Sequence, residues 1–385
     1  MNPIFASLPT TIFDVMSGLA RETGAINLGQ GFPEEDGPLD VREAAAAAIL
    51  AGPNQYPPMR GLPGLREAVA EHYARLGDVA LDWRTEVTIT SGATEAIAAS
   101  LLAVVSPGDE VVVFEPMYDA YAPLIARAGG TPKPVRLSPP RWTADATTLA
   151  AAFSSRTRAV VLNTPLNPTA SVFNEAMLAR IAALCVAHDA IAISDEVWEH
   201  VTFDGVRHRS MLSAPGMRER AIKIGSAGKI FSMTGWKVGF VCAAPALTEV
   251  VAKAHQFLTF TTPPHLQSAV AYGLGKPAVH FDAMREGYAR SRARVEAGLR
   301  QEGFVTLPCE GTYFLNVDLR ASGIALDDAD FAIRALKEAG VATIPLSAFY
   351  AAGAEKGYVR LCFAKRDETL DRGIAALAKT RRLFA

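Results

Sequence analysis

The sequence has few cysteines, no long apolar run and no excess of charge of one sign. Four cysteines occur among 385 residues, far apart and without a CxxC pair, so we expect buried free thiols and no metal site or disulfide framework. Every apolar segment is interrupted by Gly, Pro or a charged residue before it reaches membrane-spanning length. The N-terminus also lacks a basic region followed by an apolar one. These absences predict a cytoplasmic protein with no membrane partner.

Two further absences argue against nucleic-acid binding and against a dinucleotide-dependent dehydrogenase. Lys and Arg number 38 against 40 Asp and Glu, which gives a net charge of −2. A nucleic-acid partner is therefore not expected, because such binders usually present a basic face. No G-x-G-x-x-G follows an early strand, which argues against a Rossmann dehydrogenase. The length fits two or three domains, and a hydrophobic content of 50% with 20% charged residues is typical of an α/β enzyme.

Repeated strand–turn–helix units are present instead. Near-continuous apolar runs that predict strands occur at residues 86–90, 110–114, 158–162, 190–194 and 221–225. Such strands indicate a parallel sheet covered by helices on both faces. Ligands of these sheets bind at the carboxyl ends of the strands. The residues found at those ends are Ser91, Tyr118, Asn167, Asp195 and Lys229.

Two of these strand ends carry specific chemistry. The strand at 86–90 runs into Ser-Gly-Ala-Thr and a helix, which directs free amide groups and a helix dipole at an anion, although the lysine of a Walker loop is missing. Lys229 lies between small residues where a strand leaves the sheet. A lone loop lysine is usually solvent-exposed. A desolvated amine at such a position has a lowered pKa and can form a Schiff base.

The remainder of the chain predicts an N-terminal arm and a smaller domain. The arm covers residues 1–25 and is too apolar to lie in solvent, so we expect it to pack on another surface such as a second subunit. The large domain is predicted at 40–280 and the small α/β domain at 26–39 together with 281–385. Arg360 lies in an apolar strand of the small domain. It could face solvent, since strand neighbours point to opposite sides, or it could bind a substrate carboxylate.

A lysine, an aspartate and an anion-binding turn at adjacent strand ends suit pyridoxal 5'-phosphate. This cofactor needs an amine for its aldehyde, an acid beside its pyridine nitrogen and donors for its phosphate. A protonated ring nitrogen makes the ring an electron sink for the charge that forms at the substrate Cα. The residues therefore predict a pyridoxal-phosphate enzyme.

The motifs NLGQGFP, NQY, NTPLNPT, SDEV and GSAGK…TGWKVG occur in this order along the chain. Their order and spacing resemble those of the class I, fold type I pyridoxal-phosphate aminotransferases. The resemblance covers essentially the whole length and is strongest to the kynurenine, glutamine and methionine aminotransferase branch. It implies an α/β fold like that of aspartate aminotransferase, with a large domain built on a mainly parallel central sheet and a smaller C-terminal α/β domain.

The resemblance also implies a role for each matching residue that contacts the cofactor. Lys229 would bond the cofactor aldehyde and, once released, move a proton between the substrate Cα and the cofactor. Asp195 would pair with the pyridine nitrogen, and Asn167 would donate to the phenolic oxygen. Tyr118 would stack on one face of the ring and Val197 would pack on the other. The implied phosphate ligands are the backbone amides of Ala93 and Thr94 together with Ser226 and Lys237.

The remaining implied roles concern the substrate and a second subunit. Arg360 would bind the substrate α-carboxylate bidentately, helped by Asn167 and by the backbone at Gly31. Tyr56 would reach the phosphate of the neighbouring subunit, which implies a homodimer. Phe13 matches an aromatic residue that lines the substrate pocket of the partner.

Two positions depart from the family pattern. The family usually has tyrosine three residues after the aspartate, where it donates to the phenolic oxygen, but this sequence has Trp198. An indole N–H can donate but cannot accept, and the ring is larger, so we expect an altered position and an altered cofactor pKa. At Lys237 the family often has arginine. Lysine keeps the charge without the planar fork, which is still sufficient for a phosphate.

The predicted function is ping-pong transamination between an L-amino acid and a 2-oxo acid. No second arginine is evident for a side-chain carboxylate, so we expect apolar, aromatic, methionine, glutamine or kynurenine-like donors. An N-succinyldiaminopimelate aminotransferase and a cysteine-conjugate β-lyase stay open as alternatives, because they share the same residues. A ligand-sensing regulatory domain is the non-enzymatic alternative. It would need a DNA-binding extension, and the chain begins almost at once with the family's arm.

Overall fold

Two β-sheets with helices packed on them organise the chain. The computed structural model describes residues 1–77 and 79–384. Asp78 and Ala385, which the predicted domains include, lie outside the described residues. The helices of the described part are, in chain order, α1 (Pro3–Ala6), α2 (Ile12–Thr23), α3 (Leu39–Ala51), α4 (Pro63–Leu76), α5 (Trp83–Glu86), α6 (Gly92–Val104), α7 (Tyr121–Arg127), α8 (Ala146–Ala151), α9 (Glu175–Ala187), α10 (Ala227–Ile230), α11 (Pro245–Leu258), α12 (Pro264–Leu274), α13 (Ala278–Gln301), α14 (Asp328–Arg334) and α15 (Asp367–Phe384).

Thirteen strands are formed by the described residues. They are β1 (Ile26–Asn27), β2 (Val87–Thr90), β3 (Glu110–Glu115), β4 (Thr131–Arg136), β5 (Thr157–Asn163), β6 (Ile191–Asp195), β7 (Ala221–Ser226), β8 (Gly239–Ala243), β9 (Val305–Thr306), β10 (Phe314–Asp318), β11 (Val341–Ala342), β12 (Ile344–Pro345) and β13 (Tyr358–Cys362). Short 3-10 turns lie at Met211–Ser213, Thr234–Trp236 and Leu346–Phe349, and a π-helical turn at Ala335–Ala339 follows α14.

The large sheet has the strand order β2-β8-β7-β6-β5-β3-β4. Its strands from β7 through β4 are parallel, whereas β8 runs antiparallel to both β2 and β7. Every residue of β3, β6 and β7 is buried. Helices cover both faces, since alternate residues of one strand enter two separate cores: Val112 and Phe114 belong to one, and Val111 and Val113 to the other.

The strand β4 lies at one edge of the large sheet in the part of the chain that the structure describes. Its inner side bonds to β3 through residues such as Thr131, whose amide donates to Asp109 at 2.9 Å. Pro132 and Pro134 alternate with the inward-facing residues, so their nitrogens point away from β3. Prolines are tolerated there because an outward-facing nitrogen needs no ladder partner.

The small sheet has the order β12-β13-β10-β9 and is antiparallel. Its register places Asn316 opposite Arg360. A separate pair, β1 with β11, attaches residues 26–27 to the C-terminal part of the chain. The sheets position two sets of side chains: strand ends of the large sheet and the buried face of β13.

The predicted α/β fold, with a mainly parallel central sheet and a smaller C-terminal α/β unit, is confirmed. The exact domain boundaries stay a prediction, and α13 runs without a break across the predicted boundary at residues 280 and 281. All four cysteines are buried free thiols. Within residues 1–77 and 79–384, none of the helices combines the length and apolar character needed to cross a membrane.

Candidate active site

A cavity of about 340 Å³ lies where β5, β6 and β7 end and α6 begins. Its volume falls within the range of ligand pockets, roughly 300–1,000 Å³. The predicted site residues that line it are Phe13, Gly31, Ala93, Thr94, Tyr118, Asn167, Asp195, Val197, Trp198, Ser226, Lys229, Lys237 and Arg360. Tyr56 is the exception among the predicted residues, all of which the structure describes.

Lys229 lies in the single turn of α10, directly after β7. Glycines allow close packing here, because a Cβ on Gly225 in β7 would lie 2.0 Å from the ring of Phe240, and one on Gly228 in the turn would lie 3.0 Å from Thr234 Cα. The Lys229 amine donates to the hydroxyl of Tyr313 at 3.1 Å and lies 4.6 Å from the centre of the Trp198 ring. Burial lowers the pKa of Lys229 to about 8. A fraction of the amine is therefore neutral near neutral pH and can act as a nucleophile.

Asp195 ends β6 on the floor of the cavity. Its Oδ2 accepts a hydrogen bond from the hydroxyl of Tyr121 at 2.6 Å, and the amide of Val197 donates to Oδ1 at 3.4 Å. Burial raises the pKa of Asp195 to about 6, while the Tyr121 hydrogen bond lowers it. The carboxylate form still predominates at neutral pH, so this side chain can accept from a ring N–H.

Glu196, the residue after Asp195, makes buried ionic contacts at the end of β6. The carboxylate of Glu196 accepts from Lys223 at 2.5 Å and from His208 at 2.9 Å. Lys223 also donates to Glu199 at 2.6 Å. Glu196, Glu199 and His208 lie close enough together to bind a metal ion, but the ammonium group of Lys223 already contacts both carboxylates.

The N-terminus of α6 forms the anion-binding part of the cavity. Gly92 has φ +77, a conformation that favours glycine, and a Cβ on it would lie 3.2 Å from the Lys237 amine. Lys237 itself has φ +53 and projects over this helix end. The free amides at Ala93 and Thr94, the helix dipole and the ammonium group together favour a phosphate.

Arg360 lies on the opposite wall and is 1% exposed. Its two terminal nitrogens donate to Asn167 Oδ1 at 2.6 Å and to the Gly29 carbonyl at 3.1 Å. Its guanidinium centre lies 3.9 Å from the centre of the Phe314 ring. Burial lowers the pKa of Arg360 to about 10, so the group stays charged at neutral pH. Its buried Nε has no hydrogen-bond partner within the described residues.

Phe13 and Tyr56, whose implied roles involve a second subunit, lie in different surroundings within one chain. Phe13 contacts the cavity of its own chain, with its ring 5.7 Å from that of Phe349 and 5.3 Å from the Arg360 guanidinium. The reason is that α2 begins at Ile12 and folds back onto the body of the same chain. Tyr56 is 82% exposed outside the cavity and packs edge-on against Phe260 at 5.4 Å.

Two tyrosines in the site were not predicted. Tyr121 supports Asp195, and Tyr313 contacts both Lys229 and the Gly31 carbonyl. Tyr121 lies three residues after Tyr118, so a helical periodicity would have placed both on one face. Tyr313 directly precedes β10, but its contacts join segments more than 80 residues apart and leave no local signal.

The geometry can be compared with known proteins. A model of the family "Aminotransferase class I and II" matches residues 23–377. The chain belongs to this aminotransferase family. It is 45% identical to the methionine aminotransferase of Escherichia coli over 377 residues, which covers 98% of this chain and 96% of that protein. It is 43% identical to a probable N-succinyldiaminopimelate aminotransferase of Mycobacterium tuberculosis over 380 residues, or 96% of each chain.

Solved structures agree with these similarities. The E. coli structure described as having methionine aminotransferase function superposes with a TM-score of 0.95 at 43% identity, over 98% of this chain and 99% of that one. The structure of N-succinyldiaminopimelate aminotransferase from M. tuberculosis gives 0.96 at 42% identity, over 99% of this chain and 100% of that one. The chain is thus a transaminase of pyridoxal-phosphate fold type I, and the predicted family and enzyme class are confirmed.

The residues of the cavity fit the cofactor that this family uses. A phosphate requires donors, which α6 and Lys237 provide, and a pyridine N–H requires the buried acceptor Asp195. An aldehyde requires a partly neutral amine, which burial produces at Lys229. The donor set therefore contains a partner for each functional group of pyridoxal phosphate.

Proposed function

We propose that this chain binds pyridoxal phosphate at Lys229 and transfers the amino group of an L-amino acid to a 2-oxo acid. The supporting observation is one cavity that contains a buried amine, a buried carboxylate and a buried guanidinium: Lys229, Asp195 and Arg360. These three groups are what a cofactor aldehyde, a pyridine nitrogen and a substrate carboxylate require.

Each residue then has a defined task. When bound, pyridoxal phosphate supplies an electron sink for the charge that develops at the substrate Cα. Asp195 holds a proton at the ring nitrogen, and Asn167 orients the ring through its amide nitrogen, since its oxygen accepts from Arg360. Arg360 binds the substrate carboxylate. The Lys229 amine, whose pKa lies near 8, moves the Cα proton as a general acid–base group.

The cavity lining supports a substrate with an uncharged side chain. Among the described residues, the cations that line the cavity are Lys229, Lys237 and Arg360, and each already has a task. Much of the remaining wall is aromatic, with Phe13 and Phe32 on it. We therefore propose apolar, aromatic or methionine, glutamine and kynurenine-like donors.

Two alternative activities are compatible with the same cavity. The similarity to the probable N-succinyldiaminopimelate aminotransferase supports that activity, although its substrate carries further carboxylates that need cations. A cysteine-conjugate β-lyase would use the same cavity residues. Its products, pyruvate and ammonia, separate it from a transaminase.

We further propose a homodimer in the cytoplasm. Large apolar side chains are exposed close to Tyr56 along the chain or near its ring partner Phe260, including Leu50 at 88% and Phe257 at 86%. A second subunit would cover this surface and bring Tyr56 to the neighbouring phosphate site. Buried reduced thiols fit a reducing compartment. Light scattering at several protein concentrations tests the dimer.

The decisive experiment is the visible absorbance of the purified holoenzyme during addition of single amino acids without an oxo acid. Methionine, glutamine, phenylalanine, kynurenine, aspartate and N-succinyldiaminopimelate form the panel. Loss of the cofactor's visible band and its restoration by a 2-oxo acid are expected, and the fastest donor identifies the substrate class.

Lys229→Ala should abolish both changes. The matched control is Lys253→Ala, because Lys253 is exposed and pairs with Glu249 in its own helix at 2.8 Å. A wild-type protein without a visible band, or a Lys229→Ala variant that still converts amino acids at the normal rate, would contradict the proposal.

A further inference from the structure

The hydroxyl of Tyr313 connects the Lys229 amine to the main chain at Gly31. It donates to the Gly31 carbonyl at 2.7 Å and accepts from the Lys229 amine at 3.1 Å. A phenol has one proton and a carbonyl oxygen has none, so the direction of both bonds is fixed. Toward Lys229, Tyr313 can act only as an acceptor.

Packing fixes the position of this phenol. Tyr313 is 1% exposed, and the ring of Trp198 meets it edge-on with centres 4.3 Å apart. The rings of Phe314 and Tyr288 lie 5.1 and 5.7 Å away. A buried phenol held by three rings and by a carbonyl has little freedom to turn its oxygen away from the amine.

Trp198 makes this acceptor more important. Its ring contacts the same amine at 4.6 Å, but an indole offers no acceptor lone pair. Of Tyr313 and Trp198, it is therefore Tyr313 that can orient the amine through an N–H bond. The Gly31 carbonyl lies two residues from Gly29, which accepts from Arg360, so the same loop contacts both functional groups.

We propose that Tyr313 is a positioning residue that receives the Lys229 amine whenever this amine is not bonded to the cofactor. It accepts one N–H and thereby directs the remaining bonds and the lone pair of the nitrogen toward the cavity. The role rests on the proposed function, because only an enzyme that releases and re-bonds its lysine needs such a partner. The Tyr313 hydroxyl belongs to none of the sequence motifs that predicted the site.

The first test uses the apoprotein and does not depend on turnover. Lys229 is labelled competitively with acetic anhydride between pH 6 and 11, and its reactivity is read by peptide mass spectrometry. An acceptor stabilises the ammonium form more than the neutral amine, so Tyr313→Phe should lower the midpoint by about one pH unit. The matched control is Tyr288→Phe, which removes a neighbouring phenol that bonds Ser232 at 2.6 Å and should leave the midpoint unchanged.

The second test uses the holoenzyme. Tyr313→Phe should lower kcat about 10-fold with KM nearly unchanged, and it should increase the isotope effect of a Cα-deuterated donor, because proton movement is misaligned. Tyr288→Phe should alter neither quantity. If Tyr313→Phe does not fold, 3-fluorotyrosine at position 313, a weaker acceptor, should move the labelling midpoint in the same direction by less.

An unchanged midpoint in the Tyr313 variant, or equal shifts in both variants, would overturn the proposal. The proposed function would survive that result if the wild-type visible band still responds to amino acids. Conversely, a lowered midpoint in a protein whose band does not respond would support the amine contact and refute transamination.

Discussion

The guanidinium of Arg360 donates to the amide oxygen of Asn167 at 2.6 Å and so joins the small sheet to the strand ends of the large sheet. Arg360 belongs to β13, whereas Asn167 follows β5. Arg360, which we propose binds the substrate, is therefore held in place by Asn167, which we propose orients the cofactor. A relative shift of the two sheets would disturb both tasks together.

Replacement of Arg360 by lysine should impair amino acid binding more than cofactor binding. Lysine keeps the charge but cannot bond a carboxylate and Asn167 in one plane. We expect kcat/KM to fall about 10- to 100-fold, the value of one or two lost charged hydrogen bonds, with a normal visible band. Steady-state kinetics measures this loss. Arg366→Lys is the control, because Arg366 pairs with Glu34 on the surface at 3.0 Å. An equal loss in both variants would refute a specific role.

Replacement of Asp195 by asparagine should stabilise the apoprotein at neutral pH. The folded-state pKa of Asp195 is raised to about 6 by burial, so the unfolded chain releases this proton first as pH rises. The free energy of unfolding therefore falls by roughly 2–3 kcal/mol as pH rises from about 4 to about 6. It stays at this lower value above pH 6. Asp195→Asn should not lose this free energy, so it should be more stable than wild type at pH 7.5 by a larger margin than at pH 4.5. Urea unfolding at both pH values measures the difference. Exposed Asp189→Asn should not reproduce the gain, and an Asp195→Asn variant less stable than wild type at pH 7.5 would contradict the assignment.

Replacement of Lys223 by methionine should destabilise the fold. Burial raises the pKa of Glu196, but the charge of Lys223 more than offsets this and holds it well below its usual range. The variant leaves two buried carboxylates without their shared cation, at a cost of about 3–5 kcal/mol. The contribution is present above the unfolded glutamate pKa and fades as pH falls below it. Thermal unfolding should show a gap at pH 7.5 that narrows toward pH 4, while Lys253→Met shows none.

Replacement of Trp198 by tyrosine should shift the pH at which the bound cofactor changes colour. A phenol at this position can donate to the cofactor's phenolic oxygen and stabilise its charged form, so we expect a downward shift of about one unit. Spectrophotometric titration of the holoenzyme gives the value. Trp83→Tyr, at a site beside Arg84, is the control. An unchanged titration in the Trp198 variant would show that this ring does not act on the cofactor.

Local pattern was sufficient for most of the fold. Continuous apolar runs predicted β3, β5 and β6 to within one or two residues. The strand β4 was missed because Pro132 and Pro134 break the pattern of a strand. The strand β8 was missed because it follows the Lys229 turn and runs antiparallel.

The site was predictable where chemistry coincides with a strand end. Asp195 and Lys229 each follow an apolar strand, so their convergence follows from the parallel sheet. Tyr313 and Tyr121 could not be found in this way, because tertiary packing alone brings their hydroxyls to these groups. The position of Phe13 also depends on how α2 docks, which no periodicity in the arm specifies.

The outermost strand of the large sheet has a consequence for self-association. In a free edge, outward amide hydrogens recruit a strand from another molecule. At Pro132 and Pro134, two successive outward positions of β4 carry no hydrogen, and Lys133 between them pairs with Glu110 at 3.3 Å. The carbonyl groups of a strand from another molecule would therefore find no N–H donor at Pro132 or Pro134 of β4. The parallel sheet can therefore remain open at this side without templating aggregation.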